Sequence, residues 1–294
     1  MSSPDVLASL PSAQQREREL IEWLRSHDSL LLGFSGGVDS AYLACVAIEA
    51  VGAERFLAVI GRSASYPAEQ WQVAREIASR AGIVVLEVDT HEMDDPRYVA
   101  NPTNRCYFCK SELWSVLERV RAERGIATII DGTNADDLSD HRPGKKAATE
   151  QGIRSPLAEL GFTKDEIREL SRARGIPTWS QPSSPCLSSR LPYGTPVTVT
   201  RLSAVERAER ALRGLGVTGN LRVRHHSETA RVEMDLAELQ RWSDADRSAE
   251  LSDAVRAAGF EQVVLDPRGF RSGSLNVLAG IVTHSGTSAP LSGT

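Results

Sequence analysis

The apolar run Leu30-Leu31-Leu32-Gly33-Phe34 breaks off at Ser35-Gly36-Gly37, and helical spacing takes over at Ser40, continuing through Leu43, Ala47 and Val51. A buried strand, a glycine turn and a helix start, in that order, leave few folds open. Glycines let the backbone approach an anion closely, and the first turn of the helix offers unpaired N–H groups and the positive end of its dipole. Ser35 and Ser40 add hydroxyls, and Asp39 adds a carboxylate able to hold a magnesium ion riding on phosphates. No G-x-x-x-x-G-K-[ST] is present, so this is not the phosphate loop of kinases and GTPases. The competing reading is a plain tight turn with no ligand.

The same alternation runs through the first 180 residues. Apolar strands are expected at 30–34, 56–60, 83–88 and 126–130, with helices at about 40–52, 67–82 and 109–124. Continuous apolar strands separated by helices imply an α/β fold, a parallel sheet covered by helices on both faces. Ligands of such sheets bind beyond the carboxyl ends of the strands. The turns at Ser35-Gly36-Gly37, Gly61-Arg62-Ser63 and Asp131-Gly132-Thr133-Asn134 should therefore line one crevice. A further helix spans Thr163 to Arg174, with Thr163 and Glu166 spaced as a capping box and Gly175 and Pro177 as stop signals.

Residues 181–197 are rich in proline and serine and lack periodicity, as expected of a linker or a functional loop carrying Cys186. Beyond them the pattern becomes helix (203–214), strand (221–225), strand (230–234), helix (245–257) and strand (261–265). That is a small C-terminal α+β domain of ferredoxin-like character. The expected division is a nucleotide domain at 15–180, the loop at 181–197, the small domain at 198–281 and a disordered tail at 282–294.

The 294 residues carry a net charge of −5, with 41% hydrophobic and 25% charged residues. An acidic balance argues against broad electrostatic binding to nucleic acid. No apolar run approaches the eighteen or so residues of a membrane span, and Met1-Ser2-Ser3-Pro4-Asp5 lacks the basic flank of a secretory signal. A cytoplasmic protein is expected.

Four cysteines in a reducing compartment do not suggest a disulfide framework. Cys45 lies in an apolar helix and reads as a small buried side chain. Cys106 and Cys109 form a C-x-x-C just ahead of a helix. Four readings stay open for the pair: a zinc site completed by Cys186 and a histidine such as His141, a redox dithiol, a three-cysteine iron–sulfur cluster, or coincidence. Arg190, Arg222, Arg224 and Arg231 suit bidentate capture of phosphate or carboxylate, although R-V-R on a strand also describes a solvated face. His225 and His226 read as surface residues.

The segment S-G-G-V-D-S (35–40) resembles the PP-loop of the ATP pyrophosphatases, which split ATP between its α- and β-phosphates. Taken with N-R-C-Y-F-C-K (104–110), D-G-T-N-A-D-D (131–137), H-R-P-G (141–144), P-C-L-S-S-R-L-P-Y-G (185–194), R-V-R-H-H (222–226), A-R-V-E (230–233) and G-F-R-S-G (269–273), the chain is similar to the LarE family over about residues 15 to 280. That resemblance implies an ATP-dependent sulfur transferase of nickel-pincer nucleotide biosynthesis. It adenylates a carboxylate of a pyridinium biscarboxylate mononucleotide and converts it to thiocarboxylate.

The resemblance assigns nucleotide contacts to Ser35, Gly36, Gly37, Val38, Asp39, Ser40, Gly132, Thr133 and Asn134, and Lys164 resembles a pyrophosphate-contacting lysine of related ATP pyrophosphatases, the alternative being a first-turn surface lysine. The resemblance also assigns substrate contacts to Ser189, Arg190, Arg222 and Arg224, and magnesium to Asp39 and Glu209. Asp39 and Cys186 would be catalytic. In one branch of the family the loop cysteine gives up its own sulfur. In another, two further cysteines join it around a 4Fe–4S cluster, and Cys106, Cys109 and Cys186 match that branch. A homo-oligomer, and upstream and downstream enzymes of the pathway as partners, are further expectations.

Other readings are distinguishable. An ammonia-using ligase would not need three cysteines. A tRNA thiolase typically carries Lys where Val38 stands and needs a basic RNA face. A sensor would bind ATP without releasing pyrophosphate.

Overall fold

A computed structural model describes residues 12–138, 143–182 and 184–271. They belong to two compact units. The first comprises α1 (Ala13–Arg25), β1 (Leu30–Gly33), α2 (Val38–Val51), β2 (Phe56–Arg62), α3 (Ala68–Ala81), β3 (Val85–Asp89), α4 (Pro96–Val99), α5 (Arg105–Arg124), β4 (Thr128–Ile130), α6 (Pro143–Glu150), α7 (Pro156–Glu159) and α8 (Lys164–Ala173).

The four strands form a wholly parallel sheet in the order β3-β2-β1-β4. Alternate residues of β1 serve opposite cores. Leu30 and Leu32 pack with the apolar sides of α1, α2, α3 and α8, while Leu31 packs with Trp114, Leu117 and Val120 of α5 and Ala147 of α6. All three leucines are fully buried, which is why the strand reads as an unbroken apolar run rather than an alternating one. Truncating any of them to alanine would cost about 2–5 kcal/mol. The expected α/β architecture is present.

Helix boundaries differ from the expectation in two places that matter. α2 begins at Val38 rather than Ser40, because Gly37 is its N-cap and Val38 turns into the core. α5 begins at Arg105, so the C-x-x-C lies within its first two turns instead of ahead of it. Cys106 and Cys109, three apart, therefore share one helix face. The capping box of α8 is formed as expected, with Thr163 accepting from the Glu166 N–H and Glu166 accepting from that of Thr163.

The second unit holds Ala100–Thr103 and residues 187–271. Its elements are α9 (Val199–Gly214), β5 (Leu221–His226), β6 (Thr229–Met234), α10 (Leu236–Arg241), α11 (Ala245–Ala257) and β7 (Gln262–Leu265). β5 and β6 are antiparallel, and β6 and β7 parallel. The described residues give three strands in the order β5-β6-β7, without the leading strand of a ferredoxin-like unit. One sheet face, with Leu221, Val223, Ala230, Val232 and Met234, is apolar and packs with α9 and α11. The other carries Arg222, Arg224, Arg231 and Glu233. No helix among the described residues is long and apolar enough to cross a membrane. The expected disordered tail lies outside the described residues.

Candidate active site

The turn between β1 and α2 is a cradle of backbone. Gly36 has φ 68, and a Cβ there would stand 2.5 Å from the Cβ of Ala74, so only glycine fits. Gly37 caps α2 without a side-chain hydrogen bond, leaving its first N–H groups for a ligand. The two hydroxyls meanwhile satisfy each other: Ser35 Oγ lies 3.0 Å from Ser40 Oγ, and Ser40 also donates to the Gly37 carbonyl at 3.2 Å. The loop is braced from outside by the Tyr66 hydroxyl, which donates to the Ser35 carbonyl at 2.9 Å. Sequence reasoning missed Tyr66, since an isolated loop tyrosine carries no periodic signal.

The segment after β4 meets the cradle at close range. A Cβ on Gly132 would stand 2.9 Å from the Ser40 nitrogen, so the absence of a side chain is what lets the two loops touch. Asp131 accepts from the Thr133 N–H, the Thr133 hydroxyl and the Ser155 hydroxyl. Asn134 is buried and exchanges hydrogen bonds with Asp137. Thr133 and Asn134 thus fix the shape of this loop. Val38, expected at the nucleotide, is 5% exposed and its side chain belongs to the core.

Asp39 and Lys164 form an ion pair through Asp39 Oδ2 and Lys164 Nζ. The other carboxylate oxygen, Oδ1, is buried without a hydrogen-bond partner among the described residues. An orphaned, buried carboxylate oxygen beside an anion cradle fits a magnesium ion, which needs only one or two protein carboxylates when phosphates supply the rest.

The three cysteines lie in the same unit. Burial first, then Glu92 and the Cys186 thiol, push the Cys109 thiol well above its usual range. Burial and Cys186 likewise raise Cys106, although that side chain keeps solvent access, while Arg105 and Lys110 pull it back. The trio therefore stands within electrostatic reach of itself. Cys45 is half-buried, and burial pushes its thiol up to about 11, as expected of an inert side chain.

A three-thiol donor set fits an iron–sulfur cluster in kind. Among the described residues, however, no group of three or more His, Cys, Asp or Glu side chains is gathered as a metal site. His141, weighed as a zinc ligand, lies outside the described residues. Glu92, which acts electrostatically on Cys109, is 2% exposed and accepts from Ser65 Oγ at 3.1 Å, another contact the sequence did not reveal.

In the second unit the arginines of the R-V-R strand are buried, not solvated. Arg224 donates through Nε and Nη2 to Glu233 at 3.0 Å and through Nη1 to the Ser189 carbonyl at 2.8 Å. Arg190, 2% exposed, grips Glu209 with two bonds of 2.9 Å. Glu209 also accepts from the Val223 N–H. Glu209, expected as a magnesium ligand, here has both oxygens hydrogen-bonded to the Arg190 guanidinium.

Burial, together with the neighbouring Arg190 and Arg224, pushes Arg222 down to about 9, with Glu209 opposing. A buried guanidinium among like charges gains from an incoming anion. Arg231 pairs with Asp266. His225 is 8% exposed and His226 half-buried, so neither is the surface residue expected. Burial first, then neighbouring arginines, lower both imidazoles.

Comparisons with known proteins complete the description. A family model described as NAD synthase matches residues 18–100. The chain is 44% identical to an uncharacterized protein of Synechocystis sp. over 249 residues, 85% of this chain and 92% of that one. It is 32% identical to the pyridinium-3,5-bisthiocarboxylic acid mononucleotide synthase of Lactiplantibacillus plantarum over 261 residues, 89% of this chain and 94% of that one. A glutamine-hydrolyzing GMP synthase of Aeropyrum pernix is 29% identical over 222 residues, 42% of its length.

Proposed function

The chain is an ATP-using enzyme that belongs to the family of pyridinium-3,5-bisthiocarboxylic acid mononucleotide synthase, and from that premise we propose that it replaces carboxylate oxygen with sulfur on a pyridinium biscarboxylate mononucleotide. The observation that supports this reading is the joint presence, in one α/β unit, of an anion cradle with an acid and a lysine and of three cysteines, with Cys186 helping to raise the thiols of Cys106 and Cys109.

The chemistry follows from these groups. A carboxylate is a poor electrophile until its oxygen attacks the α-phosphorus of ATP, the bond to pyrophosphate breaks, and an acyl adenylate forms. The N–H groups opening α2 and the Lys164 ammonium receive the charge that gathers on the departing pyrophosphate. Asp39 would hold the magnesium ion, which neutralises phosphate charge when bound. Arg222, Arg224 and Ser189 offer the substrate phosphate a desolvated cationic seat, and Arg190 with Glu209 positions that segment. Cys186 as thiolate then attacks the acyl carbon and AMP leaves. The Cβ–S bond of the resulting thioester breaks as the α-proton departs, giving thiocarboxylate and dehydroalanine.

A second donor is favoured by the two extra thiols. Cys106, Cys109 and Cys186 would hold a 4Fe–4S cluster, and the chemistry it would supply is inorganic sulfide as the sulfur donor. The donors are separable by measurement. The sacrificial route predicts iron-free protein that loses the mass of hydrogen sulfide at Cys186 after one turnover. The cluster route predicts brown, anaerobically purified protein with about four irons per chain and an unchanged Cys186. If neither signature accompanies turnover, the thiols are not the donor.

A further inference from the structure

We propose that Lys164 occupies the cation position of Asp39 in the nucleotide-free protein, so that a divalent metal enters only together with the nucleotide, whose phosphates draw the ammonium off the carboxylate. This rests on the reading of Asp39 as the metal-holding acid and specifies how its site is guarded.

The placement of Lys164 has no local justification. It is the first residue of α8, where a cation opposes the helix dipole, and the residues beside it, Asp165 and Glu166, carry the sign that position favours. Its side chain is 30% exposed, turned onto Asp39 across 125 residues of sequence rather than out to solvent. Its backbone is fixed twice, by the capping box and by its own N–H donating to Asp136 Oδ2 at 2.8 Å. Only the flexible four-carbon stem is left to move, and an ammonium on such a stem is a point charge that can exchange one anionic partner for another.

The rest of the cradle is arranged the same way. Its two hydroxyls are turned on each other, and the helix cap leaves its N–H groups without a side-chain acceptor. Asp39 retains one buried oxygen with no partner, so the acid is half satisfied by lysine and half waiting. A metal arriving alone meets an already neutralised carboxylate. A metal arriving on ATP brings phosphates that compensate Lys164 as it leaves.

The test uses Mn²⁺ alone, titrated into the full chain and followed by the spectrum of free Mn²⁺, with no nucleotide or sulfur acceptor present. Wild-type protein should bind weakly. Lys164→Ala and Lys164→Gln should bind about tenfold more tightly or better, since an opposing charge near a carboxylate changes its cation affinity by at least that factor. Lys164→Arg, which keeps the charge, should stay weak, and Asp39→Asn added to Lys164→Ala should erase the gain.

Equal affinity in wild type and both neutral variants overturns the proposal, as does a gain that survives loss of Asp39. Two neutral variants and the charge-keeping arginine guard against one substitution that merely unfolds the helix start. Because neither substrate is present, failure here leaves sulfur transfer standing, and product analysis tests that reading separately.

Discussion

Cys186→Ala yields no thiocarboxylate, a loss of about a thousandfold or more, while substrate-dependent pyrophosphate release continues. The two half-reactions use different atoms. In the proposed reaction adenylation uses the cradle, Asp39 and Lys164, whereas displacement of AMP needs an anionic sulfur at the acyl carbon. Cys186 is half-buried and closes the first unit, in a stretch without regular secondary structure, so alanine removes a sulfur without disturbing a helix or a strand. The readout is paired: pyrophosphate by a coupled assay, thiocarboxylate by mass. Thiocarboxylate formed at an undiminished rate would remove Cys186 from the chemistry.

Asp39→Asn produces the complementary defect. Pyrophosphate release should fall by about 10²–10³-fold, the usual effect of removing one preorganised charge from a transition state. Stability should hardly change, because the Asp39–Lys164 pair is partly exposed and such pairs contribute about 0–1 kcal/mol. Near-equal melting temperatures alongside a collapsed adenylation rate would therefore assign the residue to chemistry. Wild-type pyrophosphate release in the variant would contradict its metal-holding role. Its thiols being intact, Asp39→Asn should still convert preformed acyl adenylate to thiocarboxylate, which Cys186→Ala cannot do.

The features legible in the sequence are local ones. Strand, glycine turn and helix follow one another within about twenty residues, and a parallel strand buried on both faces has to be written as a continuous apolar run. Leu30-Leu31-Leu32 shows why, since its three side chains enter two cores. The capping box at Thr163 and Glu166 was legible for the same reason, as both partners sit within one turn.

What the sequence did not reveal depends on residues far apart in the chain. Glu209 looks like a free acid until Arg190, nineteen residues earlier, takes both its oxygens. The R-V-R strand looks solvated until the Ser189 carbonyl and Glu233 close on Arg224. His225 and His226 follow it into burial on the two faces of β5. Tyr66 and Glu92 are single loop residues whose partners, Ser35 and Ser65, lie in other turns. The helical start at Arg105 was missed because Asn104 caps α5 without a side-chain bond.

One measurement tests the central claim, that AMP is placed on a carboxylate before sulfur displaces it. The pyridinium biscarboxylate mononucleotide is prepared with heavy oxygen in its carboxylates and incubated with the protein, magnesium and ATP, and the AMP and the nucleotide product are weighed by mass spectrometry. Transfer through an acyl adenylate leaves one heavy oxygen on each AMP and one sulfur in place of it on the product. AMP free of label, or a product that gains sulfur without labelled AMP appearing, would contradict the account.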